Sequence, residues 1–490
     1  MMIPGPIILL VLPLLAAGAA YLLRRWAILA GLISALTTTV LAFLCLRLPL
    51  DRSAFVVGQE VAFGRPVVIL GRNLILDPAG QAWLAFTFVL ATIFYLFAWR
   101  MSQGRSFFSF SLVILSLYSL ITLLHNFSLA IIVFAMSTTL AVFIIQGGMR
   151  DSIRGAQRYL LVALLAVPFL LAAAWLADQA LQDPANVELA RMSLLPAALG
   201  FGLLLAVFPF GTWMPALSAD APPMVTAFVF TAGQAMALYL AMVFAGTAPW
   251  VLDYSSTAPV ILLAGMIMAF AGGAMAAVQH DLGRLFGYAA LSNLGVLLLA
   301  LSSGGNQGIT LALLHMINHS VSVTLMAMSL SILRHRATRD EFTALQGVGR
   351  KLPIAALGLI LGGLGLAGFP LTAGFSTHWA IDRAVMNWAQ PISAIAQETG
   401  TAAMESAPDT PWIWILTLIA LVVSSAGIVI GLLRASSAML GQGPRDDIHR
   451  QPILASVLVL AMAALTIFLG LYPQFLLEPV LATVKALSLF

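Results

Sequence analysis

The chain has 490 residues, of which 61% are hydrophobic and only 9% charged, and its mean hydropathy is +1.01. That balance excludes a soluble globular domain and identifies a polytopic helical membrane protein. The net charge of +4 comes from arginines scattered singly through short loops rather than from a nucleic-acid patch, and the one cysteine, Cys45, lies in an apolar run that excludes a disulfide framework.

A membrane-crossing helix takes about 20 mostly apolar residues. By that measure the sequence predicts an all-α integral membrane fold of about fourteen spans: 4–23, 26–46, 80–99, 106–124, 127–147, 157–179, 193–215, 223–247, 257–279, 285–303, 307–333, 354–380, 411–434 and 452–472. Arg24 and Arg25 follow the first span, whereas a secretory signal carries its positive charges first, so this span reads as a retained helix. Between spans two and three, Val56 to Leu76 is rich in Val and Ile with Gly punctuation and suggests a short hairpin outside the membrane. Residues 391–410 read as a polar, Ala-rich outer loop, the segment expected to be least ordered. No soluble domain interrupts residues 1–490, which read as one membrane unit. Of the 23 Lys and Arg, sixteen fall in one alternate set of loops and seven in the other set with both termini. The positive-inside rule then puts both termini on the non-cytoplasmic side of a cell inner membrane.

Two spans carry interruptions. In Leu203 to Tyr239, Pro209 and Pro215 break the apolar helical run, which resumes after Ala221-Pro222-Pro223; later, Pro370 sits among glycines in LGGLGLAGFPLTAGFSTHW. Proline inside a helix removes a donor and clashes one turn back. Two broken helices in corresponding halves of a hydrophobic chain point to an inverted-repeat transporter whose ion path runs through the breaks.

Each polar motif has a bland alternative. Gly363-Leu-Gly365-Leu-Ala-Gly368 matches a dinucleotide fingerprint in letters, but without a preceding strand it reads as close helix packing. His315 and His319 share a helix face one turn apart; a metal site would need further ligands, and a polar cavity lining with Asn318 is the preferred reading. His378, just after the Pro370 break, is a proton-relay candidate, with a satisfied interior histidine as the alternative. Asp281 and Arg284, where span nine meets its loop, read as a structural ion pair at a helix end. Methionines and phenylalanines spread along the spans read as core and lipid-facing surface. No nucleotide, flavin, haem or cluster motif is present, so no cofactor is expected in this chain.

The motifs PFGTWMPALSADAPPMVTAFVFTAG, QHDLGRLFGYAALSNLG, LLHMINHS, TRDEFTALQGVGRKLP and GFPLTAGFSTHW, in this order, resemble the antiporter-like subunits of complex I, a family that also includes subunits of membrane-bound hydrogenases, multi-subunit cation/proton antiporters and inorganic-carbon uptake complexes. The resemblance implies two inverted five-helix repeats, 106–247 and 257–434, each with a broken helix. It also implies a charged midplane axis, and here this sequence departs from the family. The fifth-span Glu falls at or beside Ala135, the seventh-span Lys near Leu204, the eighth-span basic positions near Phe230 and Met236, and the eleventh-span Lys near Val323; only the twelfth-span position keeps an ionisable group, His378. The whole sequence has two lysines, Lys351 and Lys485, both outside the expected spans, and every Asp and Glu is expected in a loop or at a helix end.

The expected function is therefore that of an antiporter-like, non-catalytic membrane subunit of a complex I-related NADH/quinone oxidoreductase-type assembly. Its role would be structural or that of a half-channel through His315, His319 and His378, with other membrane subunits as partners and no residue-level support for quinone contact. The alternative is a subunit of a non-redox cation/proton antiporter or inorganic-carbon uptake complex. A free-standing secondary transporter ranks last, because the coupling-ion carboxylates are missing.

Overall fold

The computed structural model describes residues 3–56, 58–147, 153–252, 254–337, 341–388, 411–441 and 452–487. The chain is a multi-pass integral membrane protein. Helices α1 (Gly5–Leu22), α2 (Ala27–Arg47), α3 (Pro78–Ala98), α4 (Phe107–Leu123), α5 (Phe127–Gln146), α6 (Ile153–Gln182) and α7 (Val187–Leu204) lead to a short α8 (Trp213–Asp220). Then α9 (Pro223–Phe228) passes through a π turn at Val229–Gly233 into α10 (Gln234–Thr247), followed by α11 (Tyr254–Ala277), α12 (Leu282–Ser302) and the 33-residue α13 (Gly305–Ala337). The remaining helices are α14 (Val348–Lys351), α15 (Pro353–Leu366), α16 (Ala373–Trp388), α17 (Pro411–Leu440), α18 (Ile453–Leu471) and α19 (Gln474–Leu487). Twelve of the described helical segments are long and apolar enough to cross a membrane, with α4 and α15 as shorter apolar helices.

Helices suit this composition because a lipid-facing backbone must satisfy its own N–H and C=O groups. Side chains complete several helix starts: Asp77 Oδ1 accepts from Gly80 N at 2.6 Å, Asn126 Oδ1 from Leu129 N at 2.9 Å, and Asp281 Oδ1 from Arg284 N at 2.7 Å. Outer helices keep large apolar side chains exposed, among them Leu36, Leu161 and Val422, as a bilayer-facing surface requires. In the middle stands α13, buried along most of its length and packed by α12, α15, α16, α18 and α9. Arg334 near its end donates to the carbonyls of Ser218, Ala219 and Ala221 and so closes the last turn of α8.

The expected hairpin at Val56–Leu76 resolves into two small sheets. Strands β2 (Ala54–Val56) and β3 (Gln59–Ala62) pair antiparallel, with β1 (Ile3–Pro4) parallel to β3, while β4 (Val67–Ile69) and β5 (Arg72–Leu74) form a separate hairpin. The expected loop at 391–410 lies outside the described residues.

Both interruptions occur, and both are built alike. At the end of α7, Val207 N reaches Gly202 O at 2.8 Å and Ala206 N reaches Leu203 O at 3.3 Å, with Ala206 at φ +57°. At the end of α15, Phe369 N reaches Leu364 O at 3.0 Å and Gly368 N reaches Gly365 O at 3.3 Å, with Gly368 at φ +68°. That pair of bonds around a left-handed residue is the Schellman helix stop. Proline alone does not decide where a helix breaks. Pro13, Pro168, Pro196, Pro259 and Pro479 lie inside continuous helices, and Pro215, expected to interrupt, is the third residue of α8, where its missing N–H would have no helical acceptor.

One expectation is corrected here. Asp382 is neither in a loop nor at a helix end but inside α16. A span of ordinary length beginning at residue 354 ends near 380, but the six non-helical residues between α15 and α16 displace the second half-helix outward to Trp388.

Candidate functional site

The second break gathers polar side chains that the first does not. From α13, His315 and His319 project on one face; α16 brings Thr377 and His378; α12 contributes Asn293, and all are buried. Asn293 is the hub. Its Nδ2 donates to Leu366 O, the last residue of α15, at 2.8 Å and lies 3.1 Å from His378 Nε2, while its Oδ1 is 2.7 Å from His319 Nδ1. His315 Nε2 is 3.0 Å from Asn293 O, and its Nδ1 is 3.0 Å from Thr377 Oγ1. The His315 and His378 rings lie 5.2 Å apart. Asn318 joins only through Nδ2 to Thr377 Oγ1 at 3.4 Å, and its Oδ1 has no partner among the described residues.

Donor and acceptor rules fix most of the protons. Leu366 O can only accept, so the Asn293 nitrogen must face it and Oδ1 must face His319. His378 Nε2 then accepts from Asn293, and His315 donates from Nε2 to the Asn293 carbonyl while its Nδ1 faces the Thr377 hydroxyl, whose single proton is divided between that nitrogen and Gly374 O at 3.1 Å. His319 differs. Its second nitrogen, Nε2, lies 3.3 Å from Phe230 O, another obligate acceptor. That carbonyl belongs to the π turn, where Gln234 N reaches Thr231 O and Val229 O, three and five residues back, instead of Phe230 O. A neutral imidazole serves one of its two acceptors, whereas an imidazolium serves both.

Beyond the cluster, Asp382 stands one turn after His378 on α16, on roughly the same helix face. Its Oδ1 is enclosed without a hydrogen-bond partner among the described residues. No group of three His, Cys, Asp or Glu is placed to hold a metal ion among the described residues.

At the first break the corresponding space is lined mostly by apolar side chains, with Thr138 and Gln234 among the exceptions. Leu204 O, ending α7, accepts from Gln234 Nε2 at 3.2 Å, but Trp213 packs against Tyr159 and Phe230 with ring centroids 5.1 and 5.9 Å apart. The remaining cavity is about 20 Å³ and is lined in part by Leu204; Phe230, Met236 and, on α13, Val323 are buried.

Asp281 and Arg284 sit at the start of α12 with Arg284 Nε 3.7 Å from Asp281 Oδ2, about three turns from Asn293 and apart from the histidines. The glycines of the GLGLAG stretch face neighbours closely: Gly363 meets Leu432, Gly365 meets Ser322, and Gly368 meets the His378 ring. Pro209 and Pro370 stand in the two breaks themselves.

Sequence reading missed Asn293, Thr377, Asp382 and the Phe230 carbonyl. A lone Asn in the middle of the apolar run 285–303 was the available signal for the first, because an unpaired amide at that depth is costly. A backbone carbonyl has no sequence signal.

The family described as NADH:quinone oxidoreductase/Mrp antiporter, TM matches residues 80–404. Among curated proteins, formate hydrogenlyase subunit 3 of Escherichia coli (strain K12) is 25% identical over 310 residues, covering 59% of this chain and 48% of that protein. The NADH-quinone oxidoreductase subunit N of Desulforudis audaxviator (strain MP104C) is 27% identical over 412 residues, covering 76% of this chain and 79% of the relative. The match spans about half the length of the first curated relatives, from 41% to 57%. Among solved structures, a chain of the Mrp complex from Dietzia sp. DQ12-45-1b superposes with a TM-score of 0.76 at 15% identity, covering 99% of this chain and 97% of that one. A chain of respiratory complex I from Thermus thermophilus with bound NADH gives 0.76 at 17% identity, covering 97% and 99%. The chain is an antiporter-like membrane subunit and belongs to the NADH:quinone oxidoreductase/Mrp antiporter transmembrane family.

Proposed function

We propose that this chain is a non-catalytic subunit of a complex I-related, proton-translocating quinone oxidoreductase assembly of an inner membrane, in which it acts as a half-channel. In this reading it crosses the membrane fourteen times with both termini on the non-cytoplasmic side, and residues 106–247 and 257–434 are inverted repeats, the first sealed and the second polar. Other membrane subunits are its partners. The midplane charges of its relatives are replaced at Leu204, Phe230, Met236 and Val323, and the proton-holding capacity that remains lies at the second break. The observation that carries the proposal is His319, which faces acceptors on both ring nitrogens at 2.7 and 3.3 Å. A proton arriving there completes both hydrogen bonds, and Asn293, His378 and Asp382 follow in order along the way out through α16.

The test is turnover-driven proton uptake by the purified complex in liposomes. His319→Leu is expected to lower the protons moved per turnover by about one subunit's share, leaving electron transfer intact. An unchanged proton yield in both His319→Leu and His378→Ala would sink the half-channel and leave a purely structural subunit.

A second reading, a subunit of a non-redox cation/proton antiporter or inorganic-carbon uptake complex, is supported by the equal likeness of the fold to the Mrp chain. Absorbance of the co-purified complex separates the two. Flavin or iron–sulfur bands favour the first reading, and their absence favours the second.

A further inference from the structure

A cavity of about 510 Å³ opens beside the first break, and none of the three histidines lines it. Helix α6 packs on α8, α8 on α12 and α12 on α11, so α6 and α11 face each other across a cleft floored by α8. Arg154 and Arg158 from the first turns of α6 and Arg284 from the first turn of α12 are among its lining residues. Pro215, Ala216 and Ala219 of α8 and Met275 of α11 supply apolar walls.

The charges at the rim are unbalanced. Asp220 is the one acidic lining residue, and its Oδ2 already accepts from Gly155 N at 3.0 Å at the start of α6. Arg154 and Arg158 have no ion pair among the described residues, and Arg284 is held by Asp281 only at 3.7 Å. Three arginines lining one cavity with a single carboxylate, itself already bonded to Gly155 N, match a phosphate, which accepts paired N–H bonds.

The cleft also continues into surface made for acyl chains. On α11, Phe270 and Met275 are 46% and 40% exposed, Val278 just after it is 56% exposed, and on α6 Leu161 is 65% exposed, one turn inward from Arg158. Cation above and exposed hydrocarbon below is the layout of a lipid headgroup seat at a membrane boundary. We infer that the cleft between α6 and α11 binds an anionic phospholipid, its phosphate held by Arg154, Arg158 and Arg284 and its chains lying between the two helices.

Occupancy would bear on the broken helix, because Thr212 and Pro215 at the start of α8 line the same cavity. A bound lipid would then brace the turn that follows α7.

The experiment is native mass spectrometry of the delipidated complex titrated with phosphatidylglycerol, phosphatidylcholine or inorganic phosphate. Phosphatidylglycerol is expected to bind at least about tenfold more tightly than phosphatidylcholine, and millimolar phosphate to leave it in place. Arg154→Gln/Arg158→Gln, two exposed side chains, is expected to lower that affinity about tenfold; Arg284→Gln is expected to do so independently, and Arg24→Gln/Arg25→Gln to leave it unchanged. Equal binding of phosphatidylcholine, an equal loss in the Arg24/Arg25 variant, or retention in both cleft variants overturns the site. Displacement of phosphatidylglycerol by free phosphate reassigns it to the ion alone, and cross-links from Leu161→Cys to a protein subunit reassign the cleft to that subunit.

Discussion

The two broken helices of this chain end with the same backbone motif and surround it with opposite chemistry. Where α7 stops, Trp213, Tyr159 and Leu204 line a cavity of only about 20 Å³. Where α15 stops, three histidines and an asparagine share one hydrogen-bond network. Each terminal carbonyl, Leu204 O and Leu366 O, takes an amide N–H, from Gln234 and Asn293 respectively. A helix break is thus a backbone device, and its function depends on what the neighbouring helices bring to it.

The sharpest way to break the comparison is Gly368→Ala. A Cβ there would overlap the His378 ring and also force an L-residue to φ +68°. The expected cost is about 2–4 kcal/mol, read as a lower melting temperature and loss of assembled complex in detergent. A wild-type melting curve would show that the second break tolerates a side chain as the first does.

Next comes a matched pair of amide removals. Asn293→Leu strips donors and acceptors from Leu366 O, His378 and His319 at once, at about 2–3 kcal/mol. Gln234→Leu removes a single bond, and its Oε1 is already unpaired, so about 1 kcal/mol is expected. Equal losses in chemical denaturation would show that the first break is as polar in energy as the second.

The smallest effect is a gain. Ala206 occupies the left-handed stop of α7 at φ +57°, a conformation glycine adopts freely. Ala206→Gly is expected to raise stability by up to about 1 kcal/mol, measured as a shift of the unfolding midpoint. A loss instead would mean that the buried methyl packs for more than the backbone strain it carries.

Much of this was legible in the sequence. The breaks near Pro209 and Pro370 showed through, as did the shared face of His315 and His319, because proline chemistry and helical spacing are local. Pro215 misled for the same reason: whether a proline breaks a helix depends on where the helix starts, which Trp213 at the head of α8 decides. Asn293 stayed hidden because its partners lie 22 to 85 residues away in sequence. Asp382 was hidden by an assumed span length, and the acceptor on His319 Nε2 by being main chain.

The Schellman stop of α15 has one more consequence. A helix that halts in the interior of a membrane protein leaves the partial negative charge of its peptide dipoles there, about half an electron charge concentrated on its last carbonyls. Leu366 O is one of them, joined through the Asn293 amide to His378 and His319. Under the proposed half-channel, the terminus of α15 would supply counter-charge to a visiting proton, so that a cation would have an electrostatic host at this depth without a carboxylate in direct contact.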